Sequence, residues 1–451
     1  MSTMTTPTPV VRSVKTSQYR WVVVATIFFG YVVCMADRSN IGAVLPFVKH
    51  DFHISNFAAG AISSFFFLGY ATTQIPAGLL MSKVGIRKIV SLAILGFSLV
   101  TFLMGFTTTA VMLLVLRLLL GVTEGPAPVG MTAAVNNWFP AREKGTATGI
   151  YIASTQFAPI IVPPIAVLLA THFGWRAVFL WFALPGAIMA VIFYLVVRSH
   201  PKDSKHVNDR ELAYIQDVDA TAEKKLSDFG DMGWLDRLIR LRSLPALDTN
   251  RKVLTSWNVW GDTLVYFFMN NVNYGMLTWI PSYLVAARGY SFMKMGFVAS
   301  APAIGGLVGA LIGGVVSDRL FRGRRKPTMI VTALMTAVMM VVLLTAPQNT
   351  ALVVTSLLLT GFFLNVGWPM FTTYAMNIST DRTYPFAISL INSGGNLGGF
   401  FAPMIVGILL DSFHGSYTIA FSYFVVVLLL GLGLILALTE GRPRHEAAVS
   451  A

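Results

Sequence analysis

Gly78-Leu-Leu-Met-Ser82-Lys83-Val-Gly85-Ile-Arg87-Lys88 divides an apolar run near 57–81 from another near 88–106. The gap carries three cations and no acid. Each flanking run has about the 17–25 residues a helix needs to cross roughly 30 Å of hydrocarbon. Two such runs joined by a short basic turn read as a membrane hairpin, its turn on the side of the bilayer that retains positive charge. Gly314-Val-Val-Ser-Asp318-Arg319, with Arg322, Arg324, Arg325 and Lys326 behind it, repeats the pattern after a later run.

Outward from these turns, apolar runs fall near 21–46, 57–81, 88–106, 110–136, 146–170, 176–197, 256–284, 294–316, 328–346, 350–373, 385–410 and 417–438. They predict an all-α polytopic membrane protein of twelve transmembrane helices in two six-helix halves. The N-terminal bundle covers 21–197 and the C-terminal bundle 256–438. A polar linker, 198–255, joins them, and polar ends, 1–20 and 439–451, flank them. Composition agrees. Of 451 residues, 55% are hydrophobic and 12% charged, where a soluble domain carries about 25% charged. So few charges cannot cover a soluble surface of this size.

The net charge of +13 does not point to nucleic acid, because the basic residues sit in short gaps between apolar runs rather than in a polar domain with exposed aromatics. Of 33 Lys and Arg, 27 lie in the two ends, the linker and the loops after even-numbered spans. Lys49, Arg176, Arg288 and Lys294 lie in the opposite loops, and Arg38 and Arg117 within spans. The positive-inside rule then predicts cytoplasmic termini and a cytoplasmic linker. The first run is too long for a signal-peptide core and is expected to stay as a span. The one cysteine, Cys34, lies in an apolar run, and no CxxC or His-rich spacing is present, so neither a metal nor a cofactor is expected.

The two halves carry matching motifs. Phe157-Ala-Pro159-Ile-Ile-Val162 in the fifth span pairs with Phe401-Ala-Pro403-Met-Ile-Val406 in the eleventh. Such repeats place a binding site at the interface of the halves, near mid-membrane. In the linker, Trp234, Leu235, Leu238, Ile239 and Leu241 at near-helical spacing, with Arg237, Arg240 and Arg242 between them, predict a helix over Ser227–Leu247 lying on the membrane face.

Charges at membrane depth cost a few kcal/mol each and are functional candidates by default. The spans hold Asp37, Arg38, Arg117 and Glu124, with Asp262 nearer an end. Arg117 and Glu124 are seven apart, on one helix face about 10 Å from each other, and can meet Asp37 and Arg38 as a neutral charge network. A static ion-pair network is the structural reading of the same residues. All seven histidines lie in loops or at span ends, so any coupled proton must ride on a carboxyl. An anionic substrate needs a cation at mid-depth, and the guanidinium fork of Arg38 suits a carboxylate. The second half offers amides and aromatics instead: Asn270, Asn273 and Tyr274 in the seventh span, Trp368 in the tenth, Asn392 and Asn396 in the eleventh. Amides both donate to and accept from substrate hydroxyls. No HExxH or nucleophile–base pair appears at depth, which argues against an intramembrane enzyme.

Several motifs carry a resemblance. The paired GxxxSKxGxRK and GxxxDR turns, with Arg117-Leu-Leu-Leu-Gly121-Val-Thr-Glu-Gly125, resemble the major facilitator superfamily and imply the major facilitator fold. Asp37-Arg38-Ser39-Asn40, Gln74-Ile-Pro-Ala-Gly78, Asn137-Trp-Phe-Pro140-Ala-Arg142-Glu143 and Gly174-Trp175-Arg176-Ala-Val-Phe179 are similar to its anion:cation symporter branch, which includes sugar-acid permeases, sialin and vesicular glutamate transporters. That resemblance implies proton-coupled uptake of a small organic anion by a monomer in the inner (plasma) membrane. A sugar acid (hexonate, hexuronate or aldarate) is the expected substrate. An aromatic or small dicarboxylate, or export of an anion on the same fold, is the alternative. The resemblance also implies roles. Asp37 and Glu124 carry protons, Arg38 holds the substrate with Tyr70 and Gln156 beside it, Arg117 orients Glu124, and Lys83, Arg87, Asp318 and Arg319 gate. Two positions depart from the family pattern. Ser82 replaces the usual Asp of the first turn, and Met35 stands where some sugar-acid permeases have tyrosine.

Overall fold

The computed structural model describes residues 17–216, 232–242, 244–380 and 382–441. Each expected apolar run is a helix, whole or once broken: α1 (Tyr19–Phe52), α2 (Asn56–Val84), α3 (Ile86–Met104), α4 (Ala110–Trp138), α5 (Ala141–Phe173), α6 (Trp175–Val196), α7 (Trp257–Ala286), α8 (Phe292–Leu320), α9 (Lys326–Thr345), α10 (Thr350–Ile378), α11 (Tyr384–Ser412) and α12 (Tyr417–Ala437). Ten of them are long and apolar enough to cross a membrane. The other two, α2 and α7, have 29 and 30 residues but are more polar, carrying Ser63, Ser64 and Gln74, and Asp262, Asn270, Asn271 and Asn273. The described ends of the chain, Ser17 and Gly441, lie with the described parts of the linker at one end of the bundle, here the linker side. The short loops at the opposite end form the far side.

Local signals set the helix starts. On the far side, Ser55, Thr109, Ser291, Asn349 and Ser416 each accept a backbone N–H at the start of α2, α4, α8, α10 and α12, which satisfies amides that hydrocarbon could not. Repetition of the halves shows in the packing. A Cβ on Gly121 of α4 would stand 2.0 Å from Phe66 O of α2, and one on Gly361 of α10 would stand 1.8 Å from Pro302 O of α8. Backbones touch at both crossings, so only glycine fits. Both α4 and α10 break midway, at Gly125-Pro126 and at Gly367-Trp368-Pro369.

The linker is fastened to both halves. No local side chain caps α1. Glu211, in a helix at Asp209–Gln216, comes back to do so, accepting from Ser17 Oγ (2.6 Å), Tyr19 N (3.1 Å), Arg20 N (3.1 Å) and Arg20 Nη1 (3.1 Å). Further on, Asp236 binds Arg324 (2.6 and 2.9 Å), and Lys326 Nζ donates to Ile239 O (2.8 Å). The surface helix expected over Ser227–Leu247 shortens to Trp234–Leu238. Leu235 and Ile239 turn inward, Arg240 adopts a left-handed φ of 54°, and the chain then pairs with Glu440 O and Ile378 O. Residues 227–231 and Ser243 lie outside the described residues.

Burial opposes ionisation of Glu211, but the donors from Ser17, Arg20 and Tyr19 outweigh it and hold its carboxyl below the ordinary range. A depressed folded pKa means that this stabilisation is complete above the unfolded value and is lost as pH falls through the folded one. Glu211→Gln should therefore lose about 1.5–3 kcal/mol at neutral pH. It should also flatten the acid side of a plot of thermal stability against pH, measured on purified protein.

Candidate functional site

A cavity of about 940 Å³ opens between the halves, near the upper end of the roughly 300–1,000 Å³ of small-molecule sites. It runs from Arg38 at mid-depth to Gly78, Leu79, Ile388 and Ser389 near the linker side. A Cβ on Gly78 would meet nothing within 4 Å, so α2 and α11 have parted at this end.

At the far side the halves are shut. A Cβ on Gly60 of α2 would stand 2.2 Å from Pro403 O of α11. Asp411, at the end of α11, accepts from Asn56 N (3.0 Å), Asn56 Nδ2 (2.7 Å) and Phe57 N (2.8 Å). An acid of one half thus caps a helix of the other, and Lys49 Nζ donates to Asn56 Oδ1 beside it. Ser300 Oγ donates to Ile160 O (2.7 Å), tying α8 to α5, and Phe47 stacks on Phe292 at 4.2 Å.

The charged groups lie at the head of the cavity, each at most 4% exposed. Arg38 Nε donates to Glu124 Oε1 at 2.8 Å, and Nη2 stands 2.6 Å from the same oxygen. Arg38 Nη1 donates to Tyr274 Oη of the other half (3.3 Å), and the guanidinium lies 4.4 Å from the Tyr70 ring centroid. Glu124 Oε2 is buried without a donor. Glu124 is the last residue before the α4 break and meets Arg38 of α1. Asp37 turns away from Arg38 and accepts from Thr101 Oγ1 (3.0 Å) and Asn40 Nδ2 (3.3 Å).

Arg117 does not orient Glu124 as expected. It donates to the backbone carbonyls of Asp37 (3.0 Å) and Ile62 (3.4 Å), pinning α4 to α1 and α2. Asn270 does not line the cavity either, because its amide donates to Tyr266 O of its own helix (3.1 Å). Tyr70, Gln156, Asn273, Tyr274, Trp368, Asn392 and Asn396 do line it. Arg38 is the one charged lining residue among the described residues. Among the described residues, the expected gating residues make no bridge between the halves. Arg87 donates to Tyr194 O (2.6 Å) and Asp318 pairs with Arg325 (2.6 Å), each within its own half, while Lys83 and Arg319 are exposed. The site residues absent from the sequence-based expectation are Tyr31 and Tyr151, paired at 4.8 Å on the cavity wall, and the far-side pair Asn56 and Asp411; Asn365, an amide of the tenth span that the sequence offers beside Trp368, bonds to Gln156 (2.8 Å). Neither oxygen of Asp262, which is fully buried, meets a donor. No group of three or more metal-ligating residues occurs among the described residues.

A central cavity between two six-helix halves, shut at one end and headed by one ion pair, defines an alternating-access membrane carrier. A family model described as Major Facilitator Superfamily matches residues 27–324 and 294–451, and the chain belongs to that superfamily of transporters. It is 31% identical over 424 residues to the "Probable galactarate/D-glucarate transporter GudP" of Bacillus subtilis, covering 89% of each chain. It is 27% identical over 430 residues to the "D-galactonate transporter" of Escherichia coli, covering 93% of this chain and 96% of that one. Among solved structures, the D-xylose–proton symporter superposes with a TM-score of 0.72 at 15% identity, covering 94% of this chain and 98% of that chain. An inward-facing, occupied bacterial homologue of Spinster gives 0.71 at 15%, covering 93% and 96%.

Asp411→Ala removes the cap that crosses the halves. At about 0.5–2 kcal/mol for such a cap, the population open to the far side should rise severalfold. Pulsed spin-label distances between Ser55 and Phe413 should lengthen accordingly.

Proposed function

We propose that this protein is a proton-coupled symporter that takes up a small organic anion, a sugar acid of the hexonate, hexuronate or aldarate type, across the inner (plasma) membrane. In this reading all twelve helices cross the bilayer, the termini and linker are cytoplasmic, and the carrier works as a monomer. Charge bias supports the orientation, and the named relatives support the substrate class.

The observation that carries the reading is the Arg38–Glu124 pair in an otherwise uncharged cavity wall. An ionised Glu124 occupies the guanidinium that a substrate carboxylate needs. A proton on Glu124 releases Arg38 to the substrate, and loss of both restores the pair. For a monocarboxylate, two states then have a balanced charge: the empty carrier with its ion pair, and the carrier loaded with substrate and one proton; an aldarate, with two carboxylates, needs a second proton. Either alone leaves a charge unpaired in a dry site, which costs several kcal/mol. The half-loaded carrier is thereby disfavoured from crossing, which is coupling. Amides from the second half are suited to substrate hydroxyls. Asp37, held by Thr101 and Asn40, is proposed as the second proton carrier.

Proteoliposomes with an imposed pH gradient test this, with labelled D-galactonate and D-glucarate as probes. Glu124→Gln resembles the protonated acid, so exchange of labelled for unlabelled substrate should persist. Net accumulation should fail, because the empty carrier cannot return with Arg38 unpaired. Normal accumulation would overturn the assignment. Arg38→Lys loses the two-bond fork and should weaken binding about 10- to 100-fold, the loss expected for hydrogen bonds to a charged group. Unchanged affinity would remove Arg38 from the site.

A further inference from the structure

Gln156 and Asn365 meet across the halves, Gln156 from α5 and Asn365 from α10. An amide can be turned over with little change in shape, so its orientation must be read from its partners. Asn365 Nδ2 donates to Gly361 O, one turn earlier on α10, at 2.9 Å. A backbone carbonyl can only accept, so the nitrogen of Asn365 must be the atom facing it. The oxygen, Asn365 Oδ1, is then the atom turned to Gln156, and Gln156 must present its nitrogen: Nε2 donates to Oδ1 at 2.8 Å. A carbonyl of the helix backbone thus fixes an amide of the other half through two hydrogen bonds.

Gln156 lines the cavity and is only half-buried. Its Oε1 lies beside Gly306 of α8, accepts no hydrogen bond among the described residues, and is not among the sealed polar atoms. The substrate therefore finds an acceptor at this point of the wall. An acceptor binds a hydroxyl and repels a carboxylate oxygen. Asn365 itself is 5% exposed, with both amide atoms engaged, so it acts through Gln156.

We propose that Asn365 is a positioning residue that locks the Gln156 amide with its oxygen toward the substrate, so that the cavity selects hydroxyl-bearing acids over hydroxyl-free ones. This rests on the proposed uptake of an organic acid and narrows its substrate class. It places the discriminating contact on a second half-to-half bond, separate from the ion pair that recognises the carboxylate.

The test compares two six-carbon monocarboxylates, D-galactonate and the hydroxyl-free hexanoate, by binding to purified protein. Asn365→Leu removes the lock and lets the Gln156 amide turn over. D-Galactonate affinity should fall about fivefold, the size of one neutral hydrogen bond, while hexanoate affinity stays the same. In a Gln156→Ala background, Asn365→Leu should have no further effect on D-galactonate. Equal losses for both acids, or an undiminished effect of Asn365→Leu in Gln156→Ala, would overturn the proposal. A second arm needs no ligand. Melting temperatures of the two single variants and the double variant should be non-additive, because one bond is lost in all three, and strict additivity would overturn the lock. Failure of the uptake reading looks different: wild-type protein then binds neither acid, and the melting-temperature arm alone decides.

Discussion

A charge at mid-membrane must find its counterpart within the protein, and this chain meets that demand for Asp37, Arg38, Arg117 and Glu124 in three ways, while Asp262, nearer the end of α7, is buried without a donor. Arg117 is held by backbone carbonyls and Asp37 by a hydroxyl and an amide. Neither arrangement involves a partner that can be exchanged. Arg38 and Glu124 are paired with each other. Under the proposed coupling this is the pair that substrate rearranges: a proton would neutralise Glu124, and a substrate carboxylate would replace it at Arg38. Breaking a buried pair without such a replacement costs about 3–5 kcal/mol. Transport would therefore be tied to the one electrostatic contact that the hydrocarbon does not permit to stand open.

The remaining packing lets the halves move as units around that contact. Within each half, helices touch backbone to backbone, α4 on α2 through Gly121 and α10 on α8 through Gly361. Crossings this close have no side-chain layer to shear, so they hold a half rigid. Between the halves the far side is closed by backbone contact of α2 with α11 at Gly60 and Pro403 and by Phe47 on Phe292, with polar ties beside them. The Asp411 cap and the Ser300–Ile160 bond are each made of groups that water could equally satisfy once the far side opens. The linker follows the same division, with Glu211 bound to the first half and Asp236 to the second.

Much of this is legible in the sequence, because a membrane constrains it. Helix existence follows from run length. The depth of Asp37, Arg38, Arg117 and Glu124 follows from their place in those runs. Which acid meets which base does not, because seven residues of spacing allow Arg117 to face either Glu124 or a backbone carbonyl. In the fold both face α1, Arg117 on the Asp37 carbonyl and Glu124 on the Arg38 guanidinium. Asn270 shows the same limit: a polar residue on the right helix can as easily bond its own backbone as face the cavity. Asp411 looks like a solvated loop acid, and only the three-dimensional meeting of α11 with the start of α2 reveals it as a cap. The linker helix fails where its donors and acceptors find partners in α9 and in the chain beyond α12. A hydrophobic pattern cannot register that competition.

The two halves divide recognition unequally, and the division has a physical reason. Charge is concentrated in the first half, where Arg38 is countered by Glu124 from a neighbouring helix. The second half lines the cavity with Asn273, Tyr274, Trp368, Asn392 and Asn396, all uncharged. A charge in each half would attract or repel its counterpart at every stage of the rocking motion and would bias the carrier whether or not substrate was present. Amides and phenols act over the length of a hydrogen bond and are silent beyond it. In the proposed cycle Tyr274, bonded to Arg38 across the interface at 3.3 Å, would report to the second half whether the guanidinium is held by Glu124 or by something else. The first half would thus register that an anion has bound, and the second half which anion it is.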